Sequence, residues 1–187
     1  PLQIVRFTAA IANGGTLYRP QLIEKVTISG GVDIFVLTPE SQGTLPVAAT
    51  TLEAIQTAMR GVVSSRNGTA REALGDFSIP VFGKTGTAEN PMGNSHAWFT
   101  GYTDENREDL PDIAVTVIVE NGGEGSEVAA PIFRRILETY YFGAPKKLFP
   151  WEVKFNVTKT PTLQFTQTPT AGTEDGGRQS TPTPPAG

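Results

Sequence analysis

The most informative part of the chain is residues 79–119, IPVFGKTGTAENPMGNSHAWFTGYTDENREDLPDIAVTVIV. Three segments rich in β-branched and aromatic residues, 79–87, 96–102 and 113–119, are separated by stretches that contain Pro, Gly or Asp. Short apolar segments bounded by turn residues predict β-strands, and short connections favour antiparallel neighbours. We therefore expect a three-stranded antiparallel sheet.

Helical periodicity precedes and follows this sheet. Apolar residues recur every three or four positions over 1–13, 50–63 and 128–142, which predicts three helices. In the last of them, Arg134, Arg135 and Glu138 lie off the apolar stripe. The order of strands followed by a helix indicates an α+β fold, an antiparallel sheet covered by helices.

Two Thr-x-x-Glu pairs match the pattern of a capping box, in which a threonine hydroxyl caps the first turn of a helix. Thr50 with Glu53 should begin the second helix, and Thr69 with Glu72 should begin a short helix that ends at Gly75.

The remaining segments are less regular. Residues 22–37 alternate in polarity around Gly30-Gly31 and predict a β-hairpin, and 38–47 predict a loop. Pro1 suits the first position of a helix but has no capping residue before it, so we expect the chain to be part of a longer polypeptide.

The end of the chain differs from the rest in composition. We interpret 1–143 as one domain portion and 144–159 as a connector that either docks on it or is loose. In 160–187, 17 of 28 residues are Thr, Pro or Gly, so this segment predicts a disordered tail.

Composition excludes several classes of function. The formal net charge is −4, which argues against a nucleic-acid-binding protein. The chain has no Cys and one His, so thiolate catalysis and multi-His metal sites are excluded, and we expect no metal and no cofactor. His96 begins a strand next to a turn and is assigned a structural role.

Residues 83–87, Gly-Lys-Thr-Gly-Thr, are the candidate site. A phosphate-binding loop would need Gly five positions before Gly83, and that position is Ser78. A Lys-Thr-Gly strand suits acyl transfer instead, because Lys84 supplies a cation near a nucleophile and a substrate carboxylate. Thr85 and Thr87 share a strand face and can hold that carboxylate, while Gly86 lets a peptide-like substrate approach closely.

The chain resembles the C-terminal part of the transpeptidase domain of class B penicillin-binding proteins, most closely the elongation-type, penicillin-binding protein 2-like group. The matching stretches are 9–20, 83–89, 96–102, 112–123 and 129–133, in the order and spacing of the family. The resemblance covers about residues 1–143 and implies a partial penicillin-binding/serine β-lactamase-like transpeptidase fold.

This resemblance implies a mechanism. In the family a serine attacks the D-Ala-D-Ala bond of a peptidoglycan stem peptide, and an amine from a neighbouring stem resolves the acyl-enzyme, while β-lactams imitate the donor. The resemblance implies that Lys84 is the catalytic lysine, that Thr85, Gly86 and Thr87 bind substrate, and that the N–H of Thr87 stabilises the oxyanion.

The resemblance also implies a place in the cell. The family works at the extracytoplasmic face of the cell membrane through an anchor that this chain does not contain. The missing part would bind a membrane glycosyltransferase partner. We expect no nucleic-acid partner.

One departure from the family pattern is large. The family's nucleophile lies in a Ser-x-x-Lys motif, and none of the eight serines here has Lys three positions later. The second family motif, Ser-x-Asn, occurs only as Ser65-Arg66-Asn67, after the segment that it should precede. We therefore expect the nucleophile upstream of Pro1. Two alternatives to a transpeptidase remain: a non-catalytic β-lactam sensor or scaffold of the same fold, and a serine β-lactamase.

Overall fold

A computed structural model describes residues 1–159, and the predicted tail 160–187 lies outside the described residues. The helices are α1 (Leu2–Ala12), α2 (Ala49–Ser64), α3 (Arg71–Leu74) and α4 (Ala130–Phe142), with a π-helical turn at Gly125–Ala129 directly before α4. The strands are β1 (Thr16–Tyr18), β2 (Lys25–Thr27), β3 (Asp33–Val36), β4 (Ser41–Thr44), β5 (Val81–Ala88), β6 (His96–Thr103), β7 (Ala114–Val119), β8 (Glu152–Lys154) and β9 (Val157–Thr158).

The central sheet confirms the predicted α+β class. Its strand order is β5-β6-β7, and both pairings are antiparallel. The register places Gly83 opposite Gly101, and Thr85 opposite Phe99. A Cβ atom on Gly101 would lie 2.5 Å from the carbonyl oxygen of Phe82, so only glycine lets these strands approach this closely.

Helices pack on both faces of this sheet. On one face, Ile11 of α1 and Met59 of α2 form a core with Tyr102, whose ring stacks on Phe82 with centroids 4.9 Å apart. On the other face, Phe99 contacts Phe133 of α4 edge-to-face at 4.7 Å, and both are fully buried. Trp98 and Phe99 thus lie on opposite faces, and two cores hold β5 in place.

The peripheral strands partly differ from the predictions. The hairpin is confirmed as β2–β3, with Val26 opposite Phe35. The loop predicted over 38–47 is wrong, because it contains β4, which pairs with β1 through Thr16 and Thr44. This pairing joins segments far apart in sequence, and SQGT has no alternating pattern to reveal it.

The predicted capping boxes are also wrong. The N-cap of α2 is Ala48 and that of α3 is Ala70, and neither helix has a side-chain cap. Thr50 lies inside α2, so its hydroxyl is past the capping position. Pro1 is the N-cap of α1, one position before the first helical residue.

The last helix ends as predicted, and two of the charged residues off its apolar stripe are buried. Pro131 lies in the first turn, and Gly143 ends α4 with φ +75°. Glu138 is fully buried, and Arg134 nearly so. The Arg134 guanidinium donates to Glu138 at 2.6 Å and also contacts Asp76. These two residues, which lie off the apolar stripe, are therefore paired with each other inside the fold.

Residues 144–159 dock on α4. The buried Glu152 accepts a hydrogen bond from Arg135 at 2.6 Å, and the Arg135 guanidinium lies 3.6 Å from the Phe149 ring centroid. The backbone amides of Lys146 and Lys147 donate to Glu138. These contacts cover the side of α4 that the apolar pattern leaves polar.

Candidate functional site

Strand β5 presents the candidate motif at an edge of the central sheet. β6 pairs with β5 on one side, and no strand among residues 1–159 pairs with β5 on the other. The pairing of Lys84 with Thr100 and of Gly86 with Trp98 places Lys84 and Gly86 on one face. Thr85 and Thr87 lie on the opposite face, at the same exposed end of the strand.

The side chain of Lys84 is exposed. Its Nζ donates to the carbonyl oxygen of Thr85 at 2.6 Å. The salt bridges of residues 1–159 do not include Lys84. No carboxylate of residues 1–159 pairs with Lys84, so its positive charge is available to an anionic ligand or to a residue outside this range.

Gly86 has neighbours on both faces of the strand. A Cβ atom at this position would lie 3.2 Å from Cβ of Trp98. On the other face, Gly125 packs so closely that a Cβ on it would lie 2.3 Å from the Gly86 carbonyl oxygen. Gly86 therefore contributes to the close packing of β5. The sequence predicts a second role for Gly86, which is to let substrate approach the strand.

Two residues that sequence reasoning did not assign to the site contact its threonines. The Thr69 hydroxyl is hydrogen-bonded to the Thr85 hydroxyl at 2.9 Å. The Thr87 hydroxyl donates to the Glu124 carboxylate at 2.7 Å. Thr69 was assigned to a helix cap and Glu124 to a glycine-rich turn. Thr69 is 16 residues from Thr85 and Glu124 is 37 residues from Thr87, so no local sequence pattern indicates these contacts.

The turn that carries Glu124 is held against the β5–β6 connection. His96 Nδ1 accepts a hydrogen bond from the Asn121 backbone N–H at 2.9 Å, which is consistent with the structural role assigned to this histidine. The Gly123 N–H donates to the Ser95 carbonyl oxygen at 2.8 Å. Both contacts fix the backbone leading to Glu124.

Ser65 and Asn67 lie in the connection between α2 and α3, both exposed. Ser65 is the C-cap of α2. The side-chain hydrogen bonds described for Lys84, Thr85 and Thr87 involve neither residue. Among residues 1–159, the site thus consists of the β5 motif with Thr69 and Glu124.

An open cleft of about 580 Å³ extends from Thr69 between α3, α4 and residues 147–150. Ser126 and Glu127 also line it. The arrangement as a whole can bind an extended anionic peptide at the β5 edge, through a cation, two hydroxyls and free backbone groups.

Comparisons with known proteins find similar sequences. The family model described as "Penicillin binding protein transpeptidase domain" matches residues 1–138. Peptidoglycan D,D-transpeptidase MrdA of Haemophilus influenzae is 36% identical over 176 residues, which is 84% of this chain and 25% of that protein.

Two solved structures are similar in fold. Pseudomonas aeruginosa PBP2 in complex with WCK 5153 superposes with a TM-score of 0.60 at 33% identity, over 76% of this chain and 29% of that one. The imipenem acyl-enzyme of penicillin-binding protein A from M. tuberculosis gives 0.60 at 29% identity, over 74% and 30%. The chain thus spans about a quarter of the length of the curated relative it matches.

Proposed function

This chain belongs to the penicillin-binding protein transpeptidase family, and on that premise we propose that it supplies the lysine-bearing strand of a peptidoglycan D,D-transpeptidase site. The observation that carries the proposal is the Lys84–Thr87 motif on the open edge of β5, with Lys84 exposed and outside the salt bridges of residues 1–159.

The reaction proceeds in two steps. A serine oxygen attacks the carbonyl carbon between the two D-Ala residues of a donor stem, and the terminal D-Ala leaves with the serine proton. An amine of a second stem then attacks the ester, forms the crosslinking amide and returns a proton to the serine. In a β-lactam the leaving nitrogen stays tethered after ring opening, so the acyl-enzyme persists.

The residues of β5 have separate roles in this proposal. Lys84 places its charge near the serine and the substrate carboxylate, where it favours the developing negative charge. The hydroxyls of Thr85 and Thr87 donate to the carboxylate. Gly86 leaves the strand edge accessible, and the Thr87 N–H is one oxyanion donor.

The serine itself is proposed to lie outside these residues. The 187 residues contain no Ser-x-x-Lys, and the chain spans a quarter of its curated relative. We place the whole protein at the extracytoplasmic face of the cell membrane, with a membrane glycosyltransferase as partner. Residues 1–159 contain no helix with the length and hydropathy that a membrane-spanning segment requires.

Labelling with a fluorescent penicillin tests this function in the full-length protein that contains the chain. Wild type should be labelled, and Lys84→Met should slow acylation by about 100-fold or more, because a positioned proton-transfer or charge-stabilising group contributes about that much. Lys154→Met, at an exposed strand lysine, is the matched control and should acylate normally.

Three outcomes would contradict the proposal. An unlabelled wild type would favour a non-catalytic scaffold, a hypothesis that also explains why these residues contain no Ser-x-x-Lys motif. If Lys84→Met is labelled at the same rate as wild type, Lys84 has no catalytic role. Rapid loss of the label by hydrolysis would indicate a β-lactamase.

A further inference from the structure

The hydroxyl of Thr87 is already occupied by a carboxylate of the chain itself. Thr87 Oγ1 donates to Glu124 Oε2 at 2.7 Å, the distance of a charge-assisted hydrogen bond. A carboxylate is also the group that Thr87 binds in the proposed function. We propose that Glu124 is a specificity-determining residue that competes with the carboxylate of the incoming donor for Thr87, and this inference rests on the proposed function.

The position of Glu124 is imposed by its neighbours on both sides. Gly125 is buried, and a Cβ there would lie 2.2 Å from the carbonyl oxygen of Trp98 and 2.3 Å from that of Gly86. Gly123 is bonded to Ser95 through its backbone N–H. The backbone of Glu124 is therefore fixed beside β5, and only rotation of its side chain can clear Thr87.

Nothing else among residues 1–159 neutralises or holds this carboxylate. Its side-chain hydrogen bond is to Thr87, and the described salt bridges do not include Glu124. The side chain is exposed, so it can rotate away without disturbing the core. A ligand carboxylate that binds at Thr87 must displace the Glu124 carboxylate from the Thr87 hydroxyl. The negative charge of Glu124 then remains close to the bound ligand.

The consequence is discrimination by charge. A donor or β-lactam with a free carboxylate must compete with Glu124 for the Thr87 hydroxyl and is also repelled by its negative charge. The methyl ester of the same β-lactam carries no negative charge there, so Glu124 does not repel it. Repulsion between exposed charges is reduced by solvent, so the effect on acylation should be several-fold rather than many orders of magnitude.

The test is the second-order acylation rate of the full-length protein with a β-lactam and with its methyl ester. Glu124→Gln removes the charge and keeps an acceptor of the same shape. It should raise the rate with the free acid about three- to tenfold and leave the rate with the ester within about twofold. Glu124→Ala also frees the Thr87 hydroxyl, so it should give at least the same gain, and it replaces Glu124→Gln if that variant does not fold.

Glu120→Gln is the matched control. Glu120 follows β7, its side chain is exposed, and it neither lines the cleft nor accepts the hydrogen bond from Thr87. The variant therefore removes the same charge four residues from Glu124 and outside the site. It should stay within about twofold of wild type with both compounds.

The inference is overturned if Glu124→Gln leaves the free-acid rate unchanged or slows it. It is also overturned if acid and ester accelerate equally, or if Glu120→Gln gives the same gain. An unacylated wild type would defeat the proposed function itself, whereas an acylated wild type with no gain in Glu124→Gln defeats this inference alone.

Discussion

The threonines of β5 hold hydrogen-bond partners that come from two other parts of the chain. The spacing of Lys84, Thr85 and Thr87 predicted which residues share a face, and the strand register agrees. The contacts of Thr69 and Glu124 with these threonines could not be predicted. The two residues lie in other segments of the chain and reach β5 only in the folded structure. The catalytic and binding roles of the motif stay predictions.

Thr69 is expected to position Thr85 without contacting the reacting atoms. In Thr69→Val, the Thr85 hydroxyl loses a partner at 2.9 Å and can rotate away from the substrate carboxylate. One neutral hydrogen bond contributes about 1 kcal/mol, so we expect about a fivefold loss in acylation efficiency by a penicillin. The loss should fall on pre-acylation binding, measured as the concentration for half-maximal acylation rate.

Thr69→Ser keeps the hydroxyl and is the matched control for this prediction. It should recover most of the wild-type efficiency. If the serine variant is as impaired as the valine variant, the role of Thr69 is steric, and the positioning account is wrong.

At the scale of elements, local patterns predicted the central strands and failed where burial depends on distant segments. Alternation and turn residues located β5, β6 and β7 to within about two residues at each end. Helical periodicity placed Glu138 off the apolar stripe of α4, yet it is fully buried. Arg134, Asp76 and the docked residues 146–147 create that environment, and a single-helix pattern contains none of them.

This buried carboxylate should make stability depend on pH. Burial alone would raise the pKa of Glu138, but hydrogen bonds from Arg134 and from the amides of Lys146 and Lys147 outweigh it and hold the pKa below its ordinary value. The unfolded chain therefore takes up the proton first as the pH falls. The stability from Glu138 is fully present above about pH 4.3 and is lost as the pH falls through the folded-state pKa.

Glu138→Gln tests this in the full-length protein by thermal unfolding between pH 7 and pH 3. At pH 7 the variant should lose about 3 kcal/mol, because Arg134 is left buried with fewer partners. Below about pH 4.3 its stability should fall less steeply than that of wild type. Glu108→Gln, in the exposed 104–112 loop, should follow wild type throughout. An unchanged acid dependence in Glu138→Gln would contradict the account.

At the scale of the whole molecule, the chain has surfaces that suit a larger domain. One edge of β5 is left open by the strands of residues 1–159, and apolar side chains of α1 are exposed, with Leu2 57% and Phe7 50% accessible. The family and the absence of Ser-x-x-Lys were both visible in the sequence. Which serine reacts could not be predicted, since its motif is not among these residues.

The central claim is that β5 serves a serine that lies outside this chain. The most direct test is to acylate the full-length protein with a β-lactam, measure its intact mass and map the adduct by peptide mass spectrometry. The account predicts one adduct, on the serine of a Ser-x-x-Lys motif upstream of the residue that is Pro1 here. An adduct on any of the eight serines of this chain, or none at all, would contradict it.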